Sequence, residues 1–191
     1  NSSSGLMGIE IAKAFAERGA GVNLVLGPTH LKAEFNGITV HRVQTASEME
    51  KACTTLFAGS DIAVMAAAVA DFTPKNKPSS KIKKEEGLKQ IELKPTIDIL
   101  AGLGSIKKSH QLLIGFALET DNEVANAQSK LQRKNLDLIV LNSLRDEGAG
   151  FGVPTNKVTF INRDTKRTEL PLMFKRDVAC KLVDTIKQIK K

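Results

Sequence analysis

The chain has 191 residues, 41% of them hydrophobic and 26% charged, and no apolar run approaches the roughly 18 residues of a membrane span, so it reads as one soluble globular domain. The opening Asn1-Ser2-Ser3-Ser4-Gly5 has neither the basic stretch nor the apolar region of a secretory signal, and the lone Cys53 and Cys180 exclude a disulfide framework and a Cys/His zinc site, which together point to a reducing cytoplasm. A net charge of +7 calls for anionic partners; with no Trp or Tyr, and eight Phe not interleaved with Lys or Arg, nucleic acid is disfavoured against small phosphorylated ligands.

In chain order, a Ser- and Gly-rich turn leads into a helix predicted over 9–18, followed by buried strands at 22–26 and 39–43, a helix at 47–57 and a strand at 62–66. A run of alanines, 66–70, carries that strand past its carboxyl end to Asp71 and Phe72. Residues 73–84, rich in Pro, Ser and Lys, have no apolar period and read as a mobile cationic loop. A helix at 97–103, a strand at 112–116, a helix at 124–134 and a strand at 138–141 come next, then a Gly-rich loop at 145–154. The chain closes with a hairpin, 157–161 and 167–170 about a turn at 163–166, and a helix at 174–189 whose apolar residues share one face. Strands joined by helices form a parallel sheet covered on both faces. The expectation is an α/β fold: a Rossmann-like, doubly wound, mostly parallel sheet with a C-terminal antiparallel hairpin and helix. Such a sheet normally opens with a strand that feeds the glycine-rich turn. Here the turn comes first, so residues 1–191 are expected to be a single domain lacking its N-terminal strand and part of a longer polypeptide.

The chemistry-bearing residues fall at predicted strand ends, where open α/β sheets bind ligands. Ser3, Ser4 and Gly5 precede a helix N-terminus, a place for phosphate or equally an ordinary cap. Asp71 has two readings, a group for a divalent cation or ribose hydroxyl, and a turn residue. Lys81, with Lys83 and Lys84, neutralises a polyphosphate or is merely solvated. Ile97, Asp98, Ile99 and Leu100 open a helix beside one strand end, and Phe116 lies in the next strand-end motif, GFALET. Lys130 and Lys134, four apart, share a helix face. Two strand-end motifs and these lysines would converge on one crevice.

Taken together, NSSSGLMG, Gly27-Pro28, AAAVADF, KIKK, IDIL, GFALET and KLQRKNLDLIVLN resemble the phosphopantothenate-cysteine ligase (phosphopantothenoylcysteine synthetase) family of coenzyme A biosynthesis, from residue 1 to about 158. In many bacteria that domain is the C-terminal half of a bifunctional flavoprotein whose N-terminal half is an FMN-dependent decarboxylase. The resemblance implies a nucleotide-binding ligase that joins 4'-phosphopantothenate to cysteine through an acyl-cytidylate, using CTP with Mg2+ and releasing CMP and pyrophosphate; eukaryotic relatives use ATP. It also implies a homodimer. It assigns Asn1 and Lys81 to catalysis and Ser3, Ser4, Gly5, Asp71, Lys81, Ile97, Asp98, Ile99, Leu100, Phe116, Lys130 and Lys134 to the nucleotide, with Asp71 at the metal. The family's Pro-Asp-Ile reads here Ile97-Asp98-Ile99. An NAD(P)-dependent oxidoreductase on the same fold is the alternative, although a chain without Tyr lacks the acid of the common Tyr-Lys reductases. A nucleic-acid-binding module rests on net charge alone.

Overall fold

In a computed structural model, residues 3–76, 90–119, 121–143, 148 and 152–190 are described. Helix α1 (Leu6–Ala16) follows Gly5, whose φ of 82° is left-handed backbone that glycine adopts without a Cβ penalty. Strands β1 (Val22–Leu26) and β2 (Ile38–Arg42) then pair in parallel. Helix α2 (Ala46–Phe57) begins where the Thr45 hydroxyl accepts from Glu48 N, while the Glu48 carboxylate accepts in return from Gln44 N.

Strands β3 (Ile62–Met65), β6 (Leu112–Glu119) and β7 (Leu138–Ser143) are mutually parallel; β9 (Val158–Asn162) and β10 (Arg167–Glu169) continue the sheet antiparallel, in the order β10-β9-β7-β6-β3. Side chains alternate across a strand, and both faces here are apolar. Leu113, Ala117, Ile139 and Leu141 face α2, α3 (Ile99–Ile106) and α4 (Glu123–Arg133). Ile114, Leu138 and Val140 face α1 and α5 (Lys175–Ile189), whose Val178, Leu182 and Ile186 are fully buried. The sheet is therefore mostly parallel and wound on both faces, with C-terminal antiparallel strands and a closing helix.

Local structure departs from expectation in several places: α1 spans Leu6–Ala16 rather than 9–18, and β6 runs on to Glu119 rather than ending at 116. Thr73 and Pro74 are not loop: β4 (Phe72–Pro74) pairs antiparallel with β5 (Leu93–Pro95), Phe72 opposite Pro95 and Pro74 opposite Leu93. That ribbon joins two triplets separated by a long polar stretch, so no local period reveals it. The helix expected from 97 starts at Ile99, because the Asp98 side chain caps it by accepting from Ala101 N. A further pair, β8 (Thr155–Asn156) with β11 (Met173–Phe174), brackets the hairpin. Residues 77–84 of the cationic loop and most of the Gly-rich loop at 145–154 lie outside the described residues.

Among the described residues, the β1–β2 pair is not hydrogen-bonded to the five-stranded sheet. Between β1 and β3 lies a cavity of about 900 Å³, lined by Val22–Leu26 on one side and residues 62–70 on the other, with Ser3, Gly5 and Thr96 among the residues at its edge.

Candidate functional site

The carboxyl end of β6, the start of α3 and the inward face of α4 enclose a cavity of about 340 Å³, lined by Asp98, Glu119, Asn126, Ser129, Lys130, Arg133 and Lys134. Each wall follows from local sequence. Helical spacing of four puts Asn126, Lys130 and Lys134 in one line along α4, and alternation along β6 puts Glu119 on the same sheet face as Leu113 and Ala117. At the third wall, Asp98 caps α3 and also binds Lys134 Nζ, at 3.0 Å through Oδ1 and 2.7 Å through Oδ2. This leaves the amides of Ile99 and Leu100 outside the intrahelical ladder, at the positive end of the helix dipole.

Electrostatics mark the cavity as cationic with an acidic rim. Burial pushes the Lys130 ammonium below the ordinary lysine value, and the like charge of Lys134 adds to this, against the opposing pull of Glu119, Asp98 and Asp71. For Asp98, burial acts upward but is outweighed by the hydrogen bond from Lys134, the Ala101 amide and the charges of Lys134 and Lys130, so its carboxyl is held below the usual range. A bound anion would further relieve the Lys130–Lys134 repulsion, so the arrangement suits a phosphorylated ligand.

The other expected residues are distributed around this cavity. Ile99 is 5% exposed, so it can meet a ligand through its backbone, and Leu100 is half-buried against the same core. Ile97 is 57% exposed and does not line the cavity. Asp71 is exposed between β3 and β4; its carbonyl accepts from Thr96 N at 2.8 Å, and its charge reaches Lys130. Phe116 packs on the opposite sheet face with the α1–α5 cluster, apart from the lysines. Ser3 and Gly5 border the larger cavity, and the adjoining turn is tied down where the Thr29 hydroxyl donates to Ser4 O at 2.8 Å and Ser4 Oγ accepts from Leu6 N. Asn1 and Lys81 lie outside the described residues. Glu119, Asn126, Ser129 and Arg133 were not expected in the site. The signal for Asn126 is its place one turn before Lys130, and for Glu119 the polar end of an otherwise apolar strand.

Among the described residues, no group of three or more His, Cys, Asp and Glu is placed to hold a metal. Asp71 offers a single carboxylate, a donor set that suits Mg2+ shared with ligand phosphates better than a cage built from protein alone.

An α/β sheet wound on both faces, with a cationic pocket at its strand ends, defines a Rossmann-like ligand-binding domain. More narrowly, the chain belongs to the family described as the DNA/pantothenate metabolism flavoprotein C-terminal domain, whose model matches residues 1–189. It is 44% identical over 191 residues to the coenzyme A biosynthesis bifunctional protein CoaBC of Bacillus subtilis strain 168, covering all of this chain and 47% of that protein. It is 52% identical over 186 residues to a protein of an unknown prokaryotic organism named cysteine/cysteine sulfinic acid decarboxylase, covering 97% of this chain and 52% of that one. The chain thus spans about half the length of the curated relatives it matches. A crystal structure of the C-terminal domain of CoaBC superposes with a TM-score of 0.82 at 37% identity, covering 98% of this chain and 83% of that one. Among the described residues, no helix is long and apolar enough to cross a membrane.

Proposed function

We propose that this chain is a phosphopantothenate-cysteine ligase of coenzyme A biosynthesis. A carboxylate oxygen of 4'-phosphopantothenate attacks the α-phosphorus of CTP, expelling pyrophosphate and forming an acyl-cytidylate. The cysteine amine then attacks the acyl carbon, CMP leaves with the bonding pair, and the amine's proton is released. The observation that carries this reading is the convergence of Lys130, Lys134 and the α3 N-terminus on one strand-end cavity, a preorganised cradle for phosphates. Membership of a family whose relatives include CoaBC supports the substrates.

In this mechanism Lys130 and Lys134 bind the nucleotide phosphates with the Ile99 and Leu100 amides. Asp98 orients Lys134, and Ser3, Ser4 and Gly5 form a second anion-binding turn. By resemblance, Lys81 stabilises the charge growing on the departing pyrophosphate and Asn1 donates to the acyl oxygen during amide formation. Asp71, together with the ligand phosphates, would hold Mg2+, which would supply charge neutralisation of the triphosphate.

The assembly extends beyond one domain. The β4–β5 ribbon presents Phe72 and Leu93, each 59% exposed, on one face with Pro74 and Pro95, an apolar surface that suits a homodimer contact. Among the described residues, no strand pairs with the edges of β1 and β3 that face the slot between them, which suits an upstream strand, preceded by a flavin-dependent decarboxylase half that would hold FMN. Cys53 and Cys180 are free thiols, in keeping with a cytoplasmic enzyme.

The test is pyrophosphate release from 4'-phosphopantothenate with each of CTP, ATP, GTP and UTP, followed by addition of cysteine. CTP-dependent release without cysteine, and amide only after cysteine is added, is the expected result. No release with any nucleotide, together with saturable NADPH binding, would replace the ligase by the oxidoreductase reading.

A further inference from the structure

We propose that Glu119, oriented by Asn126, reads the ribose hydroxyls of the nucleotide and makes the enzyme select ribonucleoside over deoxyribonucleoside triphosphates. This rests on the nucleotide reading above and adds to it a residue that selects the sugar.

The cavity is polarised along α4. At one end stand Lys134, Lys130 and the α3 N-terminus; at the other stand Glu119 and Asn126, with Ser129 and Arg133 along the side. Asn126 and Lys134 are eight residues apart, about 12 Å along the helix at 1.5 Å per residue, long enough for a sugar followed by its phosphates. Two carboxylates line the cavity, and they are in different states. Asp98 is occupied, accepting from Ala101 N and from Lys134 Nζ. Glu119 is largely open: Asn126 Nδ2 donates to its Oε2 at 3.3 Å, and among the described residues its Oε1 accepts no hydrogen bond.

An ionised carboxylate is an acceptor only, with about four lone-pair sites on two oxygens. It repels phosphate, so the phosphates belong at the lysine end and an uncharged donor belongs beside Glu119. A vicinal diol supplies two O–H donors at the spacing of two carboxylate oxygens. Asn126 fixes the geometry: its Nδ2 also donates to Asp121 O at 2.8 Å, which anchors the amide to the β6–α4 turn and aims it at Glu119. The turn is itself constrained, with Asn122 at a φ of 45°, left-handed backbone that Asn tolerates. Glu119 is thus held at a strand end, facing Lys130 and the cavity.

A site built to accept hydroxyl hydrogen bonds disfavours the analogue that lacks them, because the half-buried Glu119 acceptor then loses a partner. The experiment measures kcat and KM for pyrophosphate release with CTP, 2'-deoxyCTP and 3'-deoxyCTP, in the intact protein and in Glu119→Ala, Glu119→Gln and Asn126→Ala, each checked by thermal denaturation. The wild type is expected to favour CTP over 2'-deoxyCTP by about 100-fold or more in kcat/KM. Glu119→Ala should lower CTP more than 2'-deoxyCTP, which has only its 3'-hydroxyl contact to lose, and so narrow the ratio between the two, mainly through KM. Glu119→Gln, which keeps one acceptor oxygen, should retain part of the preference. Asn126→Ala should lower it without abolishing it. Where Glu119→Ala does not fold, the isosteric Glu119→Gln decides.

A parallel loss with both nucleotides, leaving the ratio unchanged, would overturn the proposal, since it would make Glu119 only a counter-charge to Lys130. A wild type that releases pyrophosphate with CTP and 2'-deoxyCTP equally well overturns the sugar reading and leaves the ligase standing. A wild type that uses no nucleotide overturns both.

Discussion

Asp98 joins two elements through one carboxylate, as the cap of α3 and the counter-ion of Lys134. Asn caps as well as Asp, so Asp98→Asn removes the ion pair and spares the cap. The pair is half exposed at Asp98, 51% against 18% at Lys134, and its loss should cost under about 1 kcal/mol at pH 7. The native carboxyl titrates below its unfolded value, near 3.9, so the wild type's advantage should be full above that value and vanish as pH falls through the lowered native one. Urea denaturation of both proteins across this range checks it; a difference that ignores pH would remove the charge from the account. Lys81 makes a different prediction. If it stabilises the departing pyrophosphate, Lys81→Ala should cost about 2–4 kcal/mol of transition-state stabilisation with little change in thermal stability. Unaltered pyrophosphate release in the variant would strike Lys81 from the catalytic residues.

At the scale of elements, the site depends on how closely α3 approaches the end of α4. Gly104 is the reason it can: a Cβ there would stand 2.1 Å from Lys134 O, whereas one at Gly102, in the same helix, would meet nothing within 4 Å. The contact is backbone against backbone, and Asn135 Nδ2, donating to Gly104 O at 2.9 Å, holds it closed. Gly104→Ala should therefore destabilise by about 3 kcal/mol or more, at the upper end of overpacking effects, and raise the KM for nucleotide by displacing Lys134. Gly102→Ala should be neutral or stabilising by up to about 1 kcal/mol through helix propensity. Equal melting temperatures for the two variants would mean that α3 shifts freely, contrary to this view of the junction.

For the whole molecule, the β4–β5 ribbon gathers exposed apolar side chains on one face. Phe72 and Leu93 lie on one face with the prolines opposite them, and Ile91 and Ile97 beyond the ribbon's end are 59% and 57% exposed. With this face as the homodimer contact, Leu93→Asp should shift sedimentation equilibrium from dimer to monomer without lowering the melting temperature of the monomeric fold. A variant that stays dimeric would move the interface elsewhere.

The order of the main strands and helices, the two-faced parallel sheet, the C-terminal hairpin and the lysine pair of α4 were legible in the sequence, because each is written locally: a continuous apolar run at 112–116, spacing of four at 130 and 134, turn residues at 163–166. What only the tertiary structure decided are contacts between distant segments. Pairing of 72–74 with 93–95 leaves no period in either triplet. The side of the sheet on which Phe116 lies depends on strand register relative to packed helices, and it falls away from Lys130 and Lys134. The Glu119–Asn126 contact and the Gly104–Lys134 approach depend on how β6, α3 and α4 dock. Sequence specifies which face of each element is apolar; the distances between faces, and so which polar ends meet, are set when those faces bury one another.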